Sequence, residues 1–75
     1  MKSELYYFCQ NTKKLRLKEK LSKTKMAKLI GVGISTLNII ENGKIPKRLS
    51  CRVLVRIHSV FGIKPQNMFK AWTDL

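Results

Sequence analysis

Basic side chains are the residues with the clearest chemistry in this sequence. The 75 residues contain 16 Lys+Arg and 4 Asp+Glu, which gives a formal net charge of +12 at pH 7. The charge is dense between residues 13 and 28, where Glu19 is the one acid, and it continues at Lys44, Lys47, Arg48, Arg52 and Arg56. Lys and Arg bind phosphate oxygens, so a polyanion is the expected partner. Nucleic acid is favoured over an anionic membrane surface or an acidic protein.

Residues that could support catalysis or bind metal are sparse. His58 is the one histidine, the acids are few and there is no Gly-rich phosphate loop, so no nucleophile, base and orienting group are brought together. Cys9 and Cys51 lie far apart without a CxxC motif, which excludes a zinc site or a disulfide framework of the usual spacing. We expect both to act as small hydrophobic residues, with redox sensing as the alternative. The sequence predicts no enzyme, no metal, no cofactor and no small-molecule substrate.

Length and composition bound the organisation of the chain. A sequence of 75 residues predicts a single domain over 1–75, with a lead-in over 1–11. No run approaches the roughly 18 apolar residues of a membrane span, and no signal peptide is recognisable. We therefore expect a cytoplasmic protein that does not enter a membrane.

Apolar spacing close to the helical period predicts an all-α fold, a compact bundle of four or five short helices. Asn11 and Thr12 interrupt the first apolar pattern, which is either one helix capped by Ser3 or a lead-in followed by a helix. Ser50 is the expected cap of the fourth helix, in which Val53, Leu54, Ile57, Val60 and Phe61 face inward. Met68, Phe69 and Trp72 are expected to close over the core. The predicted helices cover about 3–20, 22–30, 34–42, 51–61 and 65–72.

The segment from about 22 to 43 has the pattern of a helix-turn-helix. Ser22 is a good N-cap, and Met26, Leu29 and Ile30 form an apolar stripe that ends at Gly31. A second helix then runs to Gly43, with a glycine-containing turn of about three residues between the two helices. Val32, Leu37 and Ile40 are expected to hold this second helix from one side. Its opposite side stays free and fits the roughly 12 Å major groove of B-DNA.

These residues resemble the Cro/C1-type (Xre-like) helix-turn-helix family, the phage-repressor fold, over about 15–69. The Glu41-Asn42-Gly43 ending is a distinctive signature of that family. The other matched positions are Leu15-Arg16, Leu21-Ser22, Met26-Ala27, Gly31-Val32, Ser35-Thr36-Leu37, Ile40 and Phe61-Gly62-Ile63.

The resemblance implies roles for individual residues. Arg16 and Glu41 would form a partly buried ion pair between the first and third helices. Lys23 opens the second helix at a position where the family commonly has a phosphate-contacting Gln, and a lysine meets phosphate there as a point charge. Asn42 and Lys44 would be further phosphate contacts, and the basic loop adds Lys47 and Arg48. The implied base contacts are Ile34, Ser35, Asn38 and Ile39.

The implied function is sequence-specific binding of double-stranded DNA by a small transcriptional regulator, with helix 34–42 in the major groove. The resemblance also allows a homodimer through the C-terminal helix, which is a common place for dimer contacts in the family, and the sequence alone leaves the oligomeric state open. Ile34 and Ile39 depart from the family's habit, since many members place Gln, Arg, Lys or Asn at base-reading positions. The alternative is therefore a protein-interaction module, adaptor or antitoxin-like, that presents this apolar face to another polypeptide.

Overall fold

Five helical elements follow one another along the chain in this computed structural model, which describes residues 4–46, 49 and 51–72. They are α1 (Glu4–Lys18), α2 (Lys23–Ile30), α3 (Ile34–Glu41), α4 (Arg52–Phe61) and a 3-10 helix (Pro65–Phe69). The described residues contain no β-strand. The prediction of an all-α bundle is confirmed. The last element differs from the expected helix, because it is a 3-10 helix that ends at Phe69 rather than at Trp72.

The first helix is continuous through Asn11 and Thr12, so the structure selects one helix over a lead-in followed by a helix. Asn11 and Thr12 are both buried within α1. The Thr12 hydroxyl donates to the Phe8 carbonyl at 2.8 Å, and Asn11 Nδ2 donates to the carbonyls of Met68 at 2.9 Å and Lys70 at 2.7 Å. Buried polar groups are tolerated when they are hydrogen-bonded. Residues 4–11 therefore belong to α1 and are not a separate lead-in.

The core lies where α1, α2, α3 and α4 meet, and the 3-10 helix covers its end. Its buried apolar members are Phe8, Cys9, Leu15, Met26, Ala27, Ile30, Leu37, Ile40, Val53, Ile57 and Met68. In α4, Leu54 and Phe61 are half-buried. The prediction that Val60 faces inward is wrong, because this residue is 43% exposed. It lies in the last turn of α4, at the edge of the stripe formed by Val53 and Ile57.

The C-terminal segment folds back on its own chain. Phe69 stacks on Phe8 with ring centroids 5.8 Å apart, and Trp72 Nε1 donates to the Asn67 carbonyl at 2.6 Å. Phe69 and Trp72 are half-buried against the core, as expected. The predicted helix caps Ser3 and Ser50 lie outside the described residues, and Cys51 occupies the N-cap position of α4.

Caps define both ends of α2, the first helix of the helix-turn-helix. Ser22 Oγ accepts from the Lys25 amide at 3.1 Å and so satisfies a free donor at the start of α2. Gly31 ends α2 with φ +80°, a conformation that costs other residues about 1–2 kcal/mol. The space is also restricted, since a Cβ on Gly31 would lie 3.0 Å from Arg56 Cδ. Arg56 extends over this turn because its Nε donates to the Leu29 carbonyl at 2.9 Å.

A bidentate ion pair joins α1 to the end of α3. Arg16 Nε donates to Glu41 Oε2 at 2.7 Å and Nη2 donates to Oε1 at 3.1 Å. The third guanidinium nitrogen, Nη1, donates to the Leu21 carbonyl at 3.1 Å, which adds the loop before α2 to the same contact. The two side chains are only 13% and 4% exposed. Arg16 thus connects three segments of the chain through one planar group.

Replacing Arg16 by Met is expected to lower the free energy of unfolding by about 3 to 5 kcal/mol, because Glu41 would remain buried without its partner. The double variant Arg16→Met/Glu41→Leu should recover most of that loss, since an apolar pair leaves no buried charge. Urea unfolding followed by circular dichroism measures both effects.

The exposed arginine Arg52 in α4 supplies the matched control. Arg52→Met should change stability by no more than about 0.5 kcal/mol. A loss of stability in Arg16→Met no larger than that of the control would show that the ion pair does not hold α1 to α3.

Candidate nucleic-acid interface

The outer side of α3 gathers the four residues that the sequence predicts as base contacts. At about 100° per residue they follow one another around the helix in the order Ile34, Asn38, Ser35, Ile39, over an arc of about 140°. Ile34 is 46% and Ile39 40% exposed, Ser35 is exposed and Asn38 is half-buried. Leu37 and Ile40, by contrast, are fully buried. The helix is therefore held from one side and open on the other. We call Ile34, Asn38, Ser35 and Ile39 the outer arc.

Asn38 has a different environment from its neighbours on the outer arc. Its Oδ1 is buried and has no hydrogen-bond partner within the described part of the chain. Pairing of an asparagine with adenine uses the amide oxygen and the amide nitrogen together. With its amide oxygen buried, Asn38 cannot form this two-atom pair in the conformation described.

The predicted phosphate-contact residues lie at both ends of the motif. Lys23 is the first residue of α2, and Asn42 is the C-cap of α3, with Lys44 shortly after it. All three are exposed. Lys47 and Arg48 lie outside the described residues.

The charge around α2 and α3 is almost entirely positive. Between Lys20 and Trp72 the one acidic residue is Glu41, and Arg16 neutralises it. The exposed Lys23, Lys25 and Lys28 of α2 therefore have no acidic neighbour on their own helix.

A groove between α1 and the end of α3 was missed by sequence reasoning. Its walls are formed mainly by Gln10, Lys13, Lys14 and Leu17 of α1 together with Asn42 and Gly43. The four α1 residues are spaced i, i+3, i+4 and i+7, so one helix face carries them all. That spacing was readable in the sequence. Their proximity to Asn42 was not, because it depends on how α1 packs on α3.

The cysteines and the histidine have different environments. Cys9 is buried, and its thiol donates to the Lys44 carbonyl at 3.7 Å. Burial raises the pKa of this thiol, which keeps it protonated and unreactive. The expectation that both cysteines pack as hydrophobic residues is wrong for Cys51, which is exposed. His58 is exposed on α4. Over 4–46, 49 and 51–72, no three His, Cys, Asp or Glu side chains are placed to share a metal ion.

Comparison with known proteins identifies the family. A family model described as helix-turn-helix matches residues 13–67 of the 75. The matched range contains α2, α3 and α4 whole. Among curated proteins and solved structures, none matches the chain significantly. In the described part of the chain, no helix has the length and apolar character needed to cross a bilayer. The chain belongs to the Cro/C1-type (Xre-like) helix-turn-helix family of DNA-binding regulators.

Proposed function

We propose that this protein binds double-stranded DNA sequence-specifically through α3 in the major groove and acts as a small transcriptional regulator. The observation that carries the proposal is the outer arc of α3, which is exposed and has cationic side chains on the neighbouring segments. Base edges would meet Ile34, Ser35, Asn38 and Ile39. Affinity would come largely from phosphate contacts, which are the dominant electrostatic contribution in such complexes.

The phosphate contacts would lie on either side of the inserted helix. Lys23 at the start of α2 would hold one stretch of backbone, and Asn42 with Lys44 would hold another. Lys47 and Arg48 are included in this set from the sequence alone. Contacts of this kind set the orientation of the protein on the duplex without reading its sequence.

The groove between α1 and α3 would extend this surface. Asn42 belongs both to the groove and to the proposed phosphate contacts, so a backbone that reaches Asn42 passes close to Lys13 and Lys14. Both lysines are exposed and have no carboxylate partner among the described ion pairs. We include Lys13 and Lys14 among the phosphate contacts for this reason.

Homodimerisation through the C-terminal segment stays a prediction. A two-fold dimer would place its half-sites about 34–36 Å apart on the duplex. Trp72 is half-buried and bonded to Asn67, so its exposed edge is the part available to a second copy.

A plot of the logarithm of the DNA association constant against the logarithm of the salt concentration has a negative slope. Replacing Lys23 and Lys44 together by Ala should reduce the magnitude of that slope by about 0.9 for each phosphate that is no longer neutralised. Fluorescence anisotropy with a short mixed-sequence duplex, titrated at several salt concentrations, measures the slope.

The double variant Lys64→Ala/Lys70→Ala is the matched control, because it removes two positive charges, as Lys23→Ala/Lys44→Ala does. These exposed residues lie at the two ends of the 3-10 helix, which packs mainly on α1 and α4. Equal slopes for the two double variants would contradict the proposed orientation of the motif on DNA.

Lys13→Ala/Lys14→Ala tests the contribution of α1 in the same assay. If both lysines contact phosphate, the magnitude of the slope should be about 1.8 smaller than for the unmodified protein. If the magnitude of the slope decreases no more than in Lys64→Ala/Lys70→Ala, α1 does not contact the DNA. That result would not affect the proposed contacts of Lys23 and Lys44.

A protein-interaction module is the second candidate, and the exposure of Ile34 and Ile39 favours it. In that case the duplex titration would show no salt-dependent binding. Ile39→Asp should abolish the protein complex, because an unpaired carboxylate would be buried at the interface. Lys23→Ala/Lys44→Ala should leave the same complex intact. Co-purification of the variants with the partner distinguishes the two candidates.

A further inference from the structure

We propose that α3 recognises thymine through its 5-methyl group, with Ile34 and Ile39 as the two contacting side chains. The inference rests on the proposed function and specifies which chemical group of the bases the outer arc contacts.

Exposed aliphatic surface is the main feature of the outer arc. Ile34 and Ile39 are 46% and 40% exposed, whereas the two other large apolar residues of α3, Leu37 and Ile40, are fully buried. The two isoleucines lie at the two edges of the arc and about 7.5 Å apart along the helix axis. At about 3.4 Å of rise per base pair, they would address different base pairs.

Polar readout from α3 is limited. The helix contains neither Arg nor Lys, the side chains that pair bidentately with guanine, and it contains no Gln, which pairs with adenine. Glu41 is bound to Arg16, and Asn38 has its amide oxygen buried. Ser35 and the Asn38 amide nitrogen are the remaining polar groups on the arc. Single hydrogen bonds from such groups discriminate poorly between bases.

Thymine is the base that fits this surface. Its C5-methyl is the one apolar group that a standard base pair displays in the major groove. When an isoleucine covers this methyl group, apolar surface of both the side chain and the base is removed from water, which favours binding. The same isoleucine gains nothing from guanine, whose O6 and N7 acceptors it would leave unpaired.

Charge favours a duplex over a polypeptide as the occupant of the outer arc. Glu41 is the one acid on α2 or α3, and it is neutralised, while Lys23, Lys25, Lys28 and Lys44 surround the motif with exposed ammonium groups. Two exposed isoleucines with a cationic surround are complementary to methyl groups lying between two phosphate backbones.

Alternating dA-dT and dA-dU duplexes of equal length are the test probes, since they differ only in the thymine methyl. Binding measured by anisotropy should be about fourfold tighter for each methyl contacted, and so about fifteenfold tighter for two. Methylation of cytosine at C5 in an alternating dG-dC duplex should also increase affinity.

The variant Ile34→Ala/Ile39→Ala should bring the ratio of dA-dT to dA-dU affinity close to one. Val55→Ala/Val60→Ala removes comparable aliphatic surface from α4, where these residues are 60% and 43% exposed, and should keep the ratio of the unmodified protein. Circular dichroism checks that both variants retain their helices.

Equal affinity of the unmodified protein for the dA-dT and dA-dU duplexes would overturn the inference, whatever the folding of the variants. Salt-dependent binding that persists in that case would leave the proposed function in place. Retention of the ratio in Ile34→Ala/Ile39→Ala would also overturn the inference. Binding to none of the duplexes would overturn the proposed function itself and direct attention to a protein partner.

Discussion

The ion pair between Arg16 and Glu41 determines where α3 can lie relative to the rest of the molecule. A carboxylate at the end of α3 with 4% exposure is costly to bury unless a cation with matching geometry is present. The guanidinium supplies two parallel hydrogen bonds to that carboxylate and a third to the Leu21 carbonyl. Because these groups lie on α3, on the loop before α2 and on α1, one side chain sets the relative position of all three segments.

The same interaction affects the electrostatics of the surface. Glu41 is the one acid between Lys20 and Trp72, so its neutralisation leaves the positive charge of α2 and of the segment after α3 unopposed. A free carboxylate at the end of α3 would repel phosphate within a few ångströms of Asn42 and Lys44. One contact therefore both fixes the position of α3 and removes a negative charge from the surface beside it.

Burial divides α3 into two functionally different sides. Leu37 and Ile40 are fully buried and give the helix its position, while Ile34 and Ile39 on the outer arc contribute little to the core. In the proposed complex, the placement of Ile34 and Ile39 suits a partner with apolar groups of its own, and the surrounding lysines suit an anionic one.

Local chemistry in the sequence was enough to predict the helices and the motif. Ser22 capped α2, Gly31 and Gly43 took up positive φ after α2 and α3, and the apolar stripes turned Met26, Ile30, Leu37 and Ile40 inward. These outcomes depend on interactions within one or two helical turns, which residue type and spacing specify directly.

Other features depended on contacts between residues distant in the sequence. Asn11 was a poor candidate for the interior until the carbonyls of Met68 and Lys70 supplied its partners from the C-terminal segment. The groove that brings Lys13 and Lys14 near Asn42, the buried oxygen of Asn38 and the exposure of Val60 have the same origin. The sequence by itself determined the charge, the caps and the helical faces. Only the tertiary structure decided which of those faces meet, because burial and pairing are properties of the packed helices and not of any one of them.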